Sequence, residues 1–91
     1  SSEEQVVSKL LALSLSNQCA ELDVAYTLVA NNRDLLDLVR YHRLGERNSV
    51  KPRMLDGWRE ELFGRLLLDV MDGKIAFRVA PQGSAAPLVF E

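Results

Sequence analysis

Leu55-Asp56-Gly57-Trp58-Arg59-Glu60-Glu61-Leu62-Phe63-Gly64 holds the chain's one tryptophan between two of its five glycines and runs into Leu66-Leu67-Leu68. A tryptophan flanked by leucines reads as a core anchor, because a ring this large contributes most when it is buried. Gly57 then permits close approach of two helices, and Arg59 reaches a carboxylate across their junction or solvent. The pattern predicts a third helix over about 53–62, opened by Pro52, and a fourth over 65–72 with Leu66, Leu67, Val70 and Met71 inward. Gly64 separates the two and Gly73 ends the last.

Upstream, Val6, Val7, Leu10, Leu11, Leu13, Leu15, Cys19, Ala20 and Leu22 recur at spacings of three and four, which is the period of a helix over about 2–22. Ser1 or Ser2 can cap it, and Glu3 and Glu4 complement the positive end of its dipole. Its apolar stripe is wide, which predicts a central position. Asp23 to Ala30 mixes Val24, Tyr26, Thr27, Leu28 and Val29, which favour extended backbone, over a stretch that reads as a packed connection. Asn31 with Asp34 three residues on resembles a capping box and opens a second helix over about 32–43. Gly45 closes it, and a polar run to Pro52 reads as a loop.

Downstream of Gly73 the period shifts to two. Ile75, Phe77 and Val79 alternate with Ala76 and Arg78, and Leu88 and Phe90 follow the Pro81-Gln82-Gly83-Ser84 turn, which predicts a β-hairpin within about 74–90. An isolated hairpin is marginal in water, so Phe77, Val79 and Phe90 are expected to lie on the helices. The fold class is therefore mainly α: a small bundle of about four helices with a short carboxy-terminal hairpin, in a single domain over residues 1–91.

Composition narrows the function classes. The apolar fraction of 47% and charged fraction of 26% describe a chain that folds, with a small core at this length. No apolar run approaches the ~18 residues of a membrane span and the start is acidic where a signal peptide is basic, so a soluble, cytoplasmic protein with no membrane contact is expected. Cys19 is the one cysteine and His42 the one histidine, which leaves no metal-ligand cluster and no internal disulfide. Cys19 sits in an apolar helix without a neighbouring base and reads as a structural thiol. The carboxylates read as solvated helix surface, so no catalytic residue is assigned.

The net charge of -2 conceals an asymmetry: residues 1–37 carry two basic and six acidic side chains, whereas residues 38–55 carry five basic and one acidic. Arg40, Arg43, Arg47, Lys51 and Arg53 lie at a helix end and in the loop beyond it, where several can share a side and attract phosphate within about one Debye length, ~8–10 Å. A solvated loop that only aids solubility is the alternative. Tyr41 is the one aromatic beside them, so any contact is phosphate-directed, weak and independent of sequence.

The block Leu55-x-Gly57-Trp58-Arg59-x-Glu61-Leu62-x-Gly64, followed by Leu67 and by Gly73 ahead of Ile75-Ala76-Phe77-Arg78-Val79, resembles the carboxy-terminal region of ribonuclease D-type exonucleases. Val29-Ala30-x-x-x-Asp34-Leu35 is similar to a helix start in the same proteins, and the resemblance covers about residues 5–80. It implies an HRDC-like helical domain (helicase and RNase D C-terminal), which in that family follows the catalytic domain and helps hold structured RNA, as in tRNA processing. The family's 3′-to-5′ chemistry uses Asp and Glu ligands for two metal ions, and no Asp-x-Glu motif occurs here. The resemblance thus implies a chain that is not itself an enzyme, holds no cofactor or metal, and has RNA and a parent exonuclease domain as partners. Gly57, Trp58, Arg59 and Gly64 are its structural motif, and Arg40, Arg43, Arg47, Lys51 and Arg53 its expected RNA-contacting set. A protein-docking or dimerisation module without RNA contact is the rival reading.

Overall fold

A computed structural model describes residues 2–45 and 50–91. Among them four helical runs and one hairpin are present: α1 (Ser2–Leu22), α2 (Tyr26–Val29), α3 (Asn32–Leu44), a long last helix, and strands β1 (Phe77–Val79) and β2 (Leu88–Phe90). The mainly α architecture with a terminal hairpin is as the sequence predicts.

Helix α1 packs chiefly on α3 and also meets the last helix and α2. It buries Leu11, Leu15 and Cys19 but leaves Val6 and Leu13 exposed, so it covers the core with one face rather than lying within it. Segment 23–30 is not the extended connection its β-branched residues suggest; Tyr26–Val29 closes a helical turn, with the Ala30 amide donating to the Tyr26 carbonyl at 3.1 Å. Burial of Val29 in the core outweighs the local preference for extended backbone. Helix α3 carries the capping box in full: Asp34 N–H donates to Asn31 Oδ1 and Asn31 N–H to Asp34 Oδ2, both at 2.9 Å. Its far end closes at Gly45, whose amide donates to the Tyr41 carbonyl at 2.9 Å.

The Gly-Trp-Arg region departs from its sequence reading in three ways. A 3-10 turn, Arg53–Leu55, replaces the start of the expected third helix. Helix α4 (Gly57–Arg59) passes without a break through a π-helical turn (Glu60–Gly64) into α5 (Arg65–Met71), and Gly64, at φ -60 and ψ -40, is helical rather than a separator. The glycine roles are exchanged. A Cβ on Gly57 would meet nothing within 4 Å, so that glycine serves its positive φ of 54, whereas a Cβ on Gly64 would overlap the Met54 carbonyl oxygen, so close approach occurs there.

The third departure concerns the aromatic anchor. Trp58 is 46% exposed and Phe63 fully buried, so the ring that fills the junction is the phenylalanine. Phe63, Leu67 and Val70 are the buried set of this helix, at spacings of four and three. Trp58 meets Phe63 edge-on with ring centroids 6.3 Å apart. Among the described residues Arg59 makes no ion pair: its Nε donates to the Val29 carbonyl at 2.9 Å, a terminal NH₂ to the Leu28 carbonyl at 3.2 Å, and its guanidinium lies 4.3 Å from the Trp58 ring centre. In so short a helix the carbonyls of Leu28 and Val29 lie beyond the reach of an intrahelical donor, and a planar fork of N–H groups satisfies both at once.

The hairpin is antiparallel, pairing Phe77 with Phe90, Arg78 with Val89 and Val79 with Leu88. Phe77 and Val79 do not lie on the helices; both are exposed, and Phe77 packs edge-on against Phe90 instead. What fastens the hairpin is buried Asn17, whose Nδ2 donates to the Leu88 carbonyl at 2.9 Å while its Oδ1 accepts from the Leu88 amide at 2.7 Å, together with buried Ala86.

Candidate nucleic-acid interface

Buried Pro52, Met54 and Leu55 fix the 3-10 turn against the core, and the alternation leaves Lys51 and Arg53 facing solvent beside α3. The face of α3 that carries Asp37, Arg40, Tyr41 and Leu44 forms the opposite wall. Between them lies an open groove of about 390 Å³, bordered by Arg40, Lys51 and Arg53 with Tyr41 and exposed Val50. Three of the five sequence-predicted cations therefore converge.

The other two do not join them. Arg43, a helical step round from Arg40, borders a separate groove of about 260 Å³ with Glu3, Val7, Val39 and His42. Arg47 lies outside the described residues.

Carboxylates from the acidic segment meet most of these cations. Arg40 lies 3.8 Å from Glu4; Arg43 lies 3.7 Å from Glu3 and 3.9 Å from Glu4; Arg53 donates to Asp34 at 2.5 Å. Lys51 has no ion-pair partner among the described residues. Such exposed pairs contribute about 0–1 kcal/mol each, so they lower the local potential without closing the groove. The partners were missed in the sequence because each helix was read alone. Their signal was the charge asymmetry itself, since an acidic first helix folded antiparallel to a basic helix end must bring the two together.

Two aspartates take their charge state from this arrangement. Partial burial works to raise the Asp34 carboxyl, but the Arg53 hydrogen bond, the Asn31 amide and the charges of Arg53 and Arg59 outweigh it and hold the carboxyl below its ordinary range. On the far side of α3, His42 Nε2 lies 2.7 Å from Asp72 Oδ1, and that hydrogen bond holds the Asp72 carboxyl down against desolvation. Both groups bind a proton less readily folded than unfolded, so the stability they contribute is full above the ordinary aspartate value of 3.8 and disappears as pH falls through their folded values. Asp34→Asn, which does not titrate, is expected to lose less stability than wild type as pH falls below the ordinary aspartate value of 3.8. Identical acid limbs in circular-dichroism titrations of the two proteins would refute the assignment. Burial pushes the Cys19 thiol up, away from the thiolate a nucleophile needs.

The chain is 35% identical over 74 residues to ribonuclease D of Sphingobium indicum and 31% identical over 84 residues to ribonuclease D of Zymomonas mobilis. These matches take in 81% and 92% of this chain but 18% and 20% of the relatives, so the chain spans about a fifth of the proteins it matches. No protein-family model matches it. No solved structure matches it. No helix among the described residues is long and apolar enough to cross a membrane. The resemblance carried by Gly57-Trp58-Arg59 is borne out: over most of its length this chain is a relative of a segment of ribonuclease D, consistent with the carboxy-terminal HRDC-like domain of that family.

Proposed function

We propose that this chain is a non-catalytic accessory domain of a ribonuclease D-like 3′-to-5′ exoribonuclease, without a cofactor of its own, that holds structured RNA near the parent's catalytic domain. The observation that supports this most directly is the convergence of Arg40, Lys51 and Arg53 on one open groove in a chain related to a ribonuclease D segment. Arg43 extends the cationic surface on the far side of α3. With Asp37, Glu4 and Asp34 beside it, the groove offers phosphate a modest net attraction, so affinity is weak and contact is with the backbone rather than the bases. Tyr41 packs against the core and is poorly placed to read bases.

A titration of structured RNA over a salt series tests this. Two or three phosphate contacts make log affinity fall with log salt at a slope between about -1.4 and -2.7, at ~0.7–0.9 per contact. Lys51→Glu is expected to reduce affinity at least about tenfold at low salt, since it reverses the groove cation that has no ion-pair partner among the described residues. Absence of binding at low salt, or an unchanged affinity in Lys51→Glu, would sink the proposal.

A further inference from the structure

Packing accounts for buried Phe63 but not for an indole kept half in water. Arg59, itself fixed by the carbonyls of Leu28 and Val29, lays its guanidinium over one face of the Trp58 ring. Phe63 meets the indole at an interplanar angle of 77° rather than flat, so neither neighbour stacks on the face opposite Arg59, and 46% of the residue reaches solvent. The indole is thus held in place before anything lands on it, which removes most of the ordering cost of a planar ligand.

The cationic groove continues to this ring. Asp34 Oδ2 accepts from Arg53 at 2.5 Å and from the Asn31 amide at 2.9 Å, and Asn31 stands just beyond Val29, whose carbonyl holds Arg59. Asp34 lies within electrostatic reach of both guanidinium groups, so two cations share one carboxylate and an excess of positive charge remains between Arg53 and the indole. Along the chain Trp58 lies five residues from Arg53, a span of at most ~18 Å. Of the carboxylates nearest Trp58 in sequence, Glu60 is engaged by Arg65 at 3.7 Å, whereas Asp56 and Glu61 are exposed. These two disfavour phosphate at the indole itself and leave it suited to an uncharged ring.

We propose that the open face of Trp58 takes an unpaired base of the RNA whose phosphates lie along Lys51 and Arg53, with Arg59 stacked beneath the indole as its support. This rests on the phosphate reading and adds to it. The groove takes backbone, and the indole takes one base from a loop, bulge or single-stranded end, since bases within a duplex are already stacked on one another. Every base presents a π-face, so the contact adds affinity and a preference for unpaired RNA without reading sequence.

Trp58 is the chain's one tryptophan, so its fluorescence reports the contact directly and without a substitution. The 91-residue chain is titrated at low salt with a duplex RNA bearing a single-stranded adenosine tail, a blunt duplex of equal phosphate number, and inorganic polyphosphate. The tailed duplex is expected to quench Trp58 emission and to bind at least about fivefold more tightly than the blunt one, the lower end of what one base on an aromatic ring contributes. Polyphosphate is expected to bind and leave the emission unchanged. Trp58→Leu should weaken binding of the tailed duplex at least about fivefold more than binding of polyphosphate, and Trp58→Phe, which keeps an aromatic face, should lose less; circular dichroism confirms that both variants fold. Binding of the tailed duplex without quenching, or equal losses for tailed duplex and polyphosphate in Trp58→Leu, overturns the base contact and leaves the phosphate reading standing. Failure of all three probes to bind overturns both.

Discussion

Gly64→Ala is expected to destabilise the protein by about 3 kcal/mol, a large part of the stability of a domain this small. The added Cβ would overlap the Met54 carbonyl oxygen and sit 3.2 Å from the Met54 carbonyl carbon and from Leu55 Cδ2. A clash with a side chain can be relieved by rotation, but here the nearest obstacle is backbone, held by a 3-10 turn whose Met54 is fully buried and Leu55 nearly so. Relief requires that the turn move away from the helix, opening the core around Met54 and Phe63. Gly57→Ala is the control: the added Cβ would meet no packed neighbour within 4 Å, so its cost is the left-handed φ of 54 alone, about 1 kcal/mol. Denaturant unfolding of the two variants measures the difference. Equal midpoints would mean that the helix and the turn are not in contact as described.

Phe63→Ala is expected to cost about 3–5 kcal/mol, the usual loss for a fully buried phenylalanine, and in so small a core the variant is close to unfolding. Trp58→Ala removes the larger side chain yet should cost only about 1–2 kcal/mol, because half the indole is already in water. Its loss comprises an edge contact with Phe63 and the exposed stack with Arg59, each worth about 1 kcal/mol or less. The order of the two variants decides which ring anchors the junction. A Trp58→Ala protein less stable than Phe63→Ala would restore the indole to that role.

The difference between those rings shows where sequence reasoning stops. A lone tryptophan beside a glycine draws attention because large rings are usually interior, but a residue in the first turn of a helix faces wherever the preceding turn aims it. Gly57 aims Trp58 outward, and the stack beneath Arg59 shelters one side of it there. Phe63 was identifiable by another route: it stands four and seven residues before Leu67 and Val70, the spacing of a buried helical face. That pattern is legible only if Gly64 is read as part of a continuous helix. A glycine inside a helix costs up to about 1 kcal/mol, and only the passing Met54 carbonyl explains why it is there.

The cationic set divides for a similar reason. Arg40 and Arg43 are three positions apart and neighbours on an isolated helix, but the packing of α3 between α1 and the 3-10 turn directs them into different grooves. Lys51 and Arg53 reach the Arg40 side because burial of Pro52 and Met54 between them turns both outward.

By itself the sequence determined what depends on residues a few positions apart: the extents of α1 and α3, the capping box at Asn31 and Asp34, the glycine stop at Gly45, the hairpin, and kinship with a ribonuclease D segment. Tertiary structure alone decided which aromatic is buried, that Gly64 joins rather than divides, that Asn17 holds the hairpin, and that Glu3, Glu4 and Asp34 temper the arginines. The former follow from backbone geometry and periodicity within one turn or strand pair. The latter follow from which atoms of distant segments compete for the same small interior, and no local pattern records the outcome of that competition.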